Sequence, residues 1–291
     1  MIITNKFNLP QAFVEMAQCE ESFKDNEIRV TSLLNGHCEE ELKRRFSTEI
    51  TQDVSDMIWM LFGTAAHAVL ENQAETATQF KEERLKMPIS NSVLTGKSDL
   101  YDAKTKTITD YKTTSVWKII YKDYENWEKQ LMLYAMMWRY WGFPVEKCEI
   151  IAILKDHSKL KARLDPLGYP QLPVQKITFE VTDAKIEAIK EYAIKRVKER
   201  EAYKELGYEE IPMCTAEERY NTGEKYAVMA NNRKKALRVL EDYAEAKKWM
   251  ADNGGDYINV RRSEDKKCNE YCTVKDFCPH KRGEKQCLTN Y

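Results

Sequence analysis

Between Gly96 and Lys112 the chain reads Gly-Lys-Ser-Asp-Leu-Tyr-Asp-Ala-Lys-Thr-Lys-Thr-Ile-Thr-Asp-Tyr-Lys, two short strands joined by a polar turn. In the second strand, Ile108 to Thr113, the alternation of side chains puts Asp110 and Lys112 on one face and Tyr111 on the other. Pairing of the two strands brings Asp99 beside Asp110. Two carboxylates held together are costly unless a cation sits between them, and oxygen ligands of this kind suit Mg²⁺ or Mn²⁺. Taken alone, the fragment is equally compatible with turn aspartates and a solvated strand edge.

Two helical stretches add polar groups. Met57 to Phe80 reads as a helix in which His67 and Glu71, four residues apart, project from one face. An imidazole so placed can ligate a metal, although a lone histidine in an apolar helix is more commonly a packing or capping residue. A second helix, from about Tyr124 to Trp141, presents the amide of Gln130 and the hydroxyl of Tyr134 on one face. Its apolar positions Leu131, Met132 and Met137 read as ordinary packing.

The ordered set Gly63-Thr-Ala-Ala-His67-Ala-Val-Leu-Glu71, Gly96-x-x-Asp99, Asp110-Tyr-Lys112 and Gln130-x-x-x-Tyr134 resembles the PD-(D/E)XK nuclease superfamily. It is most similar to the branch containing Cas4 and the RecB-type and AddB-type nuclease domains. The resemblance covers roughly residue 28 to the C-terminus. D-x-K alone occurs by chance in many chains; four motifs in order are far more specific. The resemblance implies an α/β, restriction-endonuclease-like core, a mixed central sheet flanked by helices. It implies a divalent metal (Mg or Mn) held by His67, Asp99, Asp110 and the carbonyl of Tyr111, with Lys112 as the catalytic lysine. The Gln130 and Tyr134 helix is expected to abut the site, orienting the nucleic acid and the lysine. Glu71 is either a carboxylate that orients a ligand or one that faces water. The activity implied is phosphodiester hydrolysis by a DNA exonuclease acting on single strands or ends, in recombination, repair or phage DNA metabolism, with recombination or replication proteins as partners. The alternatives are a nucleic-acid-binding or recombination-partner subunit with a vestigial site, and a zinc-binding interaction protein. The presence together of His67, Asp99, Asp110 and Lys112 argues against a vestigial site.

The C-terminal region carries Cys268-Asn-Glu-Tyr-Cys272-Thr-Val-Lys-Asp-Phe-Cys278 and then Cys287. Eight cysteines in 291 residues are too few for a disulfide scaffold, and no hydrophobic signal peptide is read in the first ten residues. The expectation is a cytoplasmic protein with reduced thiols. The C-x3-C-x5-C spacing matches neither paired zinc knuckles nor a redox C-x-x-C. It resembles the C-terminal triplet of Cas4-like and AddB-like nucleases, which implies a [4Fe-4S] cluster on Cys268, Cys272 and Cys278 with a fourth thiolate from elsewhere. Cys214 is favoured for that position, then Cys38, then Cys287. Cys19 and Cys148 read as buried thiols.

Composition fits this outline, with 43% hydrophobic and 32% charged residues. No stretch approaches the roughly eighteen apolar residues of a membrane span. The net charge of −1 is not that of a general nucleic-acid coat protein. Arg233-Lys-Lys235 with Arg238, and Lys43-Arg-Arg45, are basic patches that read equally as phosphate contacts or solvated faces. The expected organisation is a helical N-terminal segment (1–50), a nuclease core (51–205) and a helical C-terminal segment with the cysteine cluster (206–291). Within the core, Lys147 to Lys155 reads as a buried strand, Val174 to Val181 as an alternating one, and Asp183 to Leu206 as a long charged helix.

Overall fold

A computed structural model describes residues 1–18, 26–71 and 76–281. The chain divides into two units. The first comprises Met1–Glu41 and Ser47–Leu206; the second comprises Leu42–Phe46 and the residues from Gly207 onward.

The first unit opens with β1 (Ile2–Thr4), α1 (Gln11–Gln18), β2 (Glu27–Arg29), α2 (Val30–Leu34) and α3 (His37–Arg45), whose last residues belong to the second unit. Then come β3 (Thr51–Asp53), α4 (Val54–Glu71), β4 (Gln79–Ile89), β5 (Ser92–Asp102) and β6 (Thr107–Thr114). They are followed by α5 (Val116–Ile120), α6 (Glu125–Tyr140), β7 (Lys147–Leu154), α7 (Lys159–Leu164), β8 (Val174–Glu180) and α8 (Asp183–Glu205). The six-stranded central sheet runs β2-β5-β6-β7-β8, with β4 also paired to β5. It is mixed: β2 with β5 and β6 with β7 are parallel, the other pairs antiparallel. A mixed central sheet flanked by helices is the class implied by the sequence.

Its geometry creates an opening in the middle of β5. Strand β4 pairs with β5 along nearly its whole length, so β2 and β6 share the opposite edge. Strand β2 meets only Val93 to Thr95, and β6 only Leu100 to Asp102. The segment from Gly96 to Asp99 therefore lies at the fork between them. The parallel β6–β7 pair needs a crossover, and α5 and α6 supply it. Helix α6 buries eight consecutive residues, Leu131 to Trp138. A helix apolar on all sides is covered on all sides, here by the sheet on one flank and by Ile189, Ala193 and Val197 of α8, spaced four apart, on the other.

Several expectations need correction. The helix bearing His67 is described as far as Glu71 and does not run to Phe80, because Gln79–Ile89 is a full-length strand. The alternating burial of Leu85, Met87 and Ile89 is the pattern of a strand with one face in the core. The N-terminal 50 residues hold short strands as well as helices. In the second unit, β9 (Lys225–Met229) pairs antiparallel with β10 (Arg238–Leu240) and β11 (Tyr257–Arg261), so a three-stranded sheet accompanies the helix α9 (Tyr243–Asn253). Arg233, Lys234 and Lys235 lie in the turn between β9 and β10, not on a helix face.

Candidate metal centre

The β5–β6 hairpin sets the first two carboxylates. Its paired positions end at Leu100 opposite Thr109, so the next positions outward are Asp99 and Asp110. There the strands diverge, and Asp99 Oδ2 accepts a 2.8 Å hydrogen bond from the Tyr111 amide. This backbone donor fixes the carboxylate toward β6. Asp110 is 2% exposed. Lys112, two residues along the same face, places Nζ 2.7 Å from Asp110 Oδ2, at ion-pair distance but without hydrogen-bond alignment.

Helix α4 supplies the imidazole. Asp53 starts this helix by accepting from the Ser55 amide, and Val54, Met57 and Leu61 bury against Ala17 of α1. Its other side lies on β6, where a side-chain carbon at Gly63 would be 3.5 Å from Thr113 Oγ1. His67, one helical turn beyond, brings Nδ1 to 3.4 Å from Asp99 Oδ2. The Asp99 contact raises the His67 pKa above the ordinary imidazole value, against burial and the nearby Lys112 charge. Burial raises the Asp110 carboxyl, with the Lys112 ammonium opposing it.

Sequence reading missed Glu82. In the β4–β5 register, Lys81 faces Leu100 and Glu83 faces Ser98, so Glu82 stands across from Asp99, where cross-strand side chains share a face. Its φ of +51° turns it locally out of the ladder. One ligand atom each from His67, Glu82 and Asp99 lies within 4.8 Å of the other two. Glu82 also forms an ion pair with Lys97. The signal in the sequence was the alternation of Leu85, Met87 and Ile89, which would have turned residues 79–89 into a strand beside β5.

Helix α6 closes the site from below. Gln130 Nε2 donates to Tyr134 Oη at 3.2 Å, as their spacing predicts. Tyr134 is buried, and burial together with Asp110, Asp99 and Glu82 raises its phenol above the usual range. Gly96 makes room for it: a side-chain carbon there would fall 2.6 Å from Tyr134 Cε1 and 2.9 Å from Val30 Cγ2. Of the other sequence-predicted positions, the Glu71 side chain lies outside the described residues.

The donor set fits a divalent ion. An imidazole nitrogen and two carboxylates converge within reach of one centre, and beside them lies a buried Asp110 oxygen without an aligned donor. Such a mixture of nitrogen and oxygen ligands suits Mn²⁺ or Mg²⁺.

In the second unit the thiols gather separately. The segment holding Cys214 is tied to the one holding Cys268, Cys272 and Cys278 at both ends. Ile211 O accepts from His280 Nε2 at 2.8 Å, and Arg219 O accepts from the Lys267 amide at 3.0 Å. Arg219 and Asn221 both bind Asp265, at 2.7 and 2.6 Å. Burial raises the Cys268 thiol, with Asp265, Cys214 and Cys278 close enough to add to the effect. No disulfide joins the described cysteines. Cys38 lies buried on α3 in the first unit, and Cys148 is buried with its sulfur against Leu131 O. Cys19 and Cys287 lie outside the described residues.

No protein-family model and no curated protein matches the chain. Among solved structures it is similar to the protein SSO0001, at 14% identity and a TM-score of 0.45 over 65% of this chain and 82% of that one. It is also similar to a phage related exonuclease from Haemophilus somnus 129PT, at 17% identity and a TM-score of 0.30 over 66% and 80%. An alkaline exonuclease from Laribacter hongkongensis gives 14% identity and a TM-score of 0.38 over 61% and 89%. Likenesses this slight assign neither a family nor an activity to the chain.

Proposed function

We propose that the protein is a Mg²⁺- or Mn²⁺-dependent DNA nuclease, acting as an exonuclease on single strands or DNA ends. The observation that carries the reading is the convergence of His67, Glu82 and Asp99 beside the Asp110–Lys112 pair. His67, Asp99 and Asp110, joined by Glu82 and the Tyr111 carbonyl, would hold the ion. When bound, it supplies Lewis-acid polarisation of a phosphodiester and acidifies the attacking water. The Tyr111 amide holds Asp99 in its ligating orientation. The Lys112 ammonium offsets charge that develops on the phosphate and positions the nucleophile, a preorganised role that needs no motion at the moment of reaction. Gln130 and Tyr134, linked to each other, brace the underside of the site.

In the second unit, Cys214, Cys268, Cys272 and Cys278 form the proposed thiolate set of a structural [4Fe-4S] cluster. One side-chain and one backbone hydrogen bond tie the Cys214 segment to that of the triplet, which supports Cys214 as the fourth ligand. Phosphodiester hydrolysis requires no electron transfer, so the cluster's part is to close the segment.

The decisive experiment is digestion of end-labelled single- and double-stranded DNA with and without Mn²⁺. Shortening from the ends that stops with chelator supports the reading. Absence of cleavage in every divalent metal would leave a binding protein with an inactive centre.

A further inference from the structure

The two helices that lead away from the metal centre carry aromatic rings that packing does not account for. On α4, Trp59 is 62% exposed and lies 6.4 Å from the half-exposed Phe62 ring. On the α5 segment, Trp117 and Tyr121 are 52% and 72% exposed and stacked on each other at 5.7 Å. Single exposed aromatics need no explanation, but neighbouring pairs mark an interaction surface.

One corner of the sheet links the two pairs. Lys155, just past β7, holds its ammonium 4.2 Å from the Trp59 ring centroid. Its amide donates to Thr114 O at 2.9 Å, and Ser115, the next residue after Thr114, caps the helix of Trp117. Asp156 secures the corner by accepting from Ser115 Oγ and the Val116 amide. The rings thus flank the end of β6, the strand bearing Asp110 and Lys112. Trp59 precedes His67 by eight residues on α4, about 12 Å along the helix axis.

Flat rings beside a lysine match a nucleobase and its phosphate, the combination that binds single strands without regard to sequence. A duplex hides its base faces in its own stack. We propose that Trp59 with Phe62, and Trp117 with Tyr121, form a nucleobase-stacking platform for a single-stranded nucleic-acid end, with Lys155 meeting its phosphates. The direction in which the strand is fed rests on the nuclease reading of the metal centre; the binding does not.

The test uses the whole protein with a fluorescein-labelled oligothymidylate, or a duplex of equal length, in Ca²⁺, read by anisotropy. Hydrolysis of bis(p-nitrophenyl) phosphate in Mn²⁺ reports the metal centre separately. The single strand should bind more tightly than the duplex, and Trp59→Ala and Trp117→Ala should each weaken it on the order of tenfold. Tyr257→Ala, which removes an exposed ring on β11, should bind as wild type. Melting curves check that each variant is folded. Equal affinity for both nucleic acids, no binding, or binding unmoved in both tryptophan variants overturns the platform, whether or not the diester is hydrolysed. Self-association abolished by Trp59→Ala would give the face to a second copy and also overturn it. Strand binding that falls in both variants, in a wild type that hydrolyses no diester, keeps the platform and removes the nuclease reading.

Discussion

In the first unit Asp99 and Asp110 come to the same place because a hairpin puts them there: once β5 and β6 pair from Leu100 onward, they are the next position on each strand, where the two strands diverge. In the second unit no comparable ladder aligns the described cysteines. The segment of Cys214 is held to that of Cys268 by turns with the His280–Ile211 and Lys267–Arg219 bonds and the Asp265 pairings. Ligands set by register are built before any ion arrives, whereas ligands set by a few loop contacts depend on the group they bind. Metal removal should therefore silence the hairpin site without unfolding it, and loosen the cysteine segment.

The largest expected effect tests the first half of this contrast. Asp110→Ala should lower DNA cleavage by about 100-fold or more, as loss of a metal ligand or charge-stabilising group does. The fold should persist, because Lys112, released from its pair, is part-exposed and can reach water. Cleavage at the wild-type rate, with contaminating nuclease excluded, would end the assignment. The second half predicts the opposite balance. Protein purified without oxygen should be brown and hold about four irons per chain. Cys272→Ala should lose the iron and melt several degrees lower, while Cys148→Ala should keep its iron. Zinc in place of iron would refute the cluster, and iron unaffected by Cys214→Ala would pass the fourth position to Cys38 or Cys287.

What the sequence made legible follows the same division. Asp110 with Lys112, and Gln130 with Tyr134, are separated by exact strand and helix periods, so local geometry alone brings each pair together. Asp99 and His67 needed only the simplest pairing of a hairpin and a preceding helix. Glu82 was hidden because its position depends on a register between strands and on a single left-handed residue. The first half of β4, Gln-Phe-Lys-Glu-Glu-Arg, is too charged to show alternation, and the apolar run of α4 before it reads as continuing helix. Strands β9, β10 and β11 are three to five residues long, each with a charged residue at one end, below the length at which a period can be recognised. The reason for Gly96 lies in Tyr134, distant in sequence and adjacent only in the fold.

That contact gives the next prediction. Gly96→Ala forces a carbon against the Tyr134 ring and Val30, and overpacking of this kind costs about 1–3 kcal/mol. Urea unfolding of the variant should show the loss, and Mn²⁺ binding by calorimetry should weaken as the displaced ring disturbs the carboxylates above it. Unchanged stability would mean that α6 yields at no cost and that the register-built site is less rigid than the comparison holds.

The smallest effects concern Glu82 and separate a ligand from a bystander. Lys97 is about half exposed, and an ion pair of that kind contributes about 0.2–1 kcal/mol. If Glu82 serves the ion, Lys97 competes with it for the same carboxylate. Lys97→Ala should then tighten Mn²⁺ binding by up to about fivefold, the equivalent of 1 kcal/mol. Glu82→Gln keeps the size of the side chain and removes its charge, and should weaken Mn²⁺ binding on the order of tenfold. The two variants must move calorimetric affinity in opposite directions. Should both leave it unchanged, Glu82 is a partner of Lys97 alone. The centre then rests on His67, Asp99 and Asp110, the groups that hairpin register and helix spacing place without any departure from regular backbone.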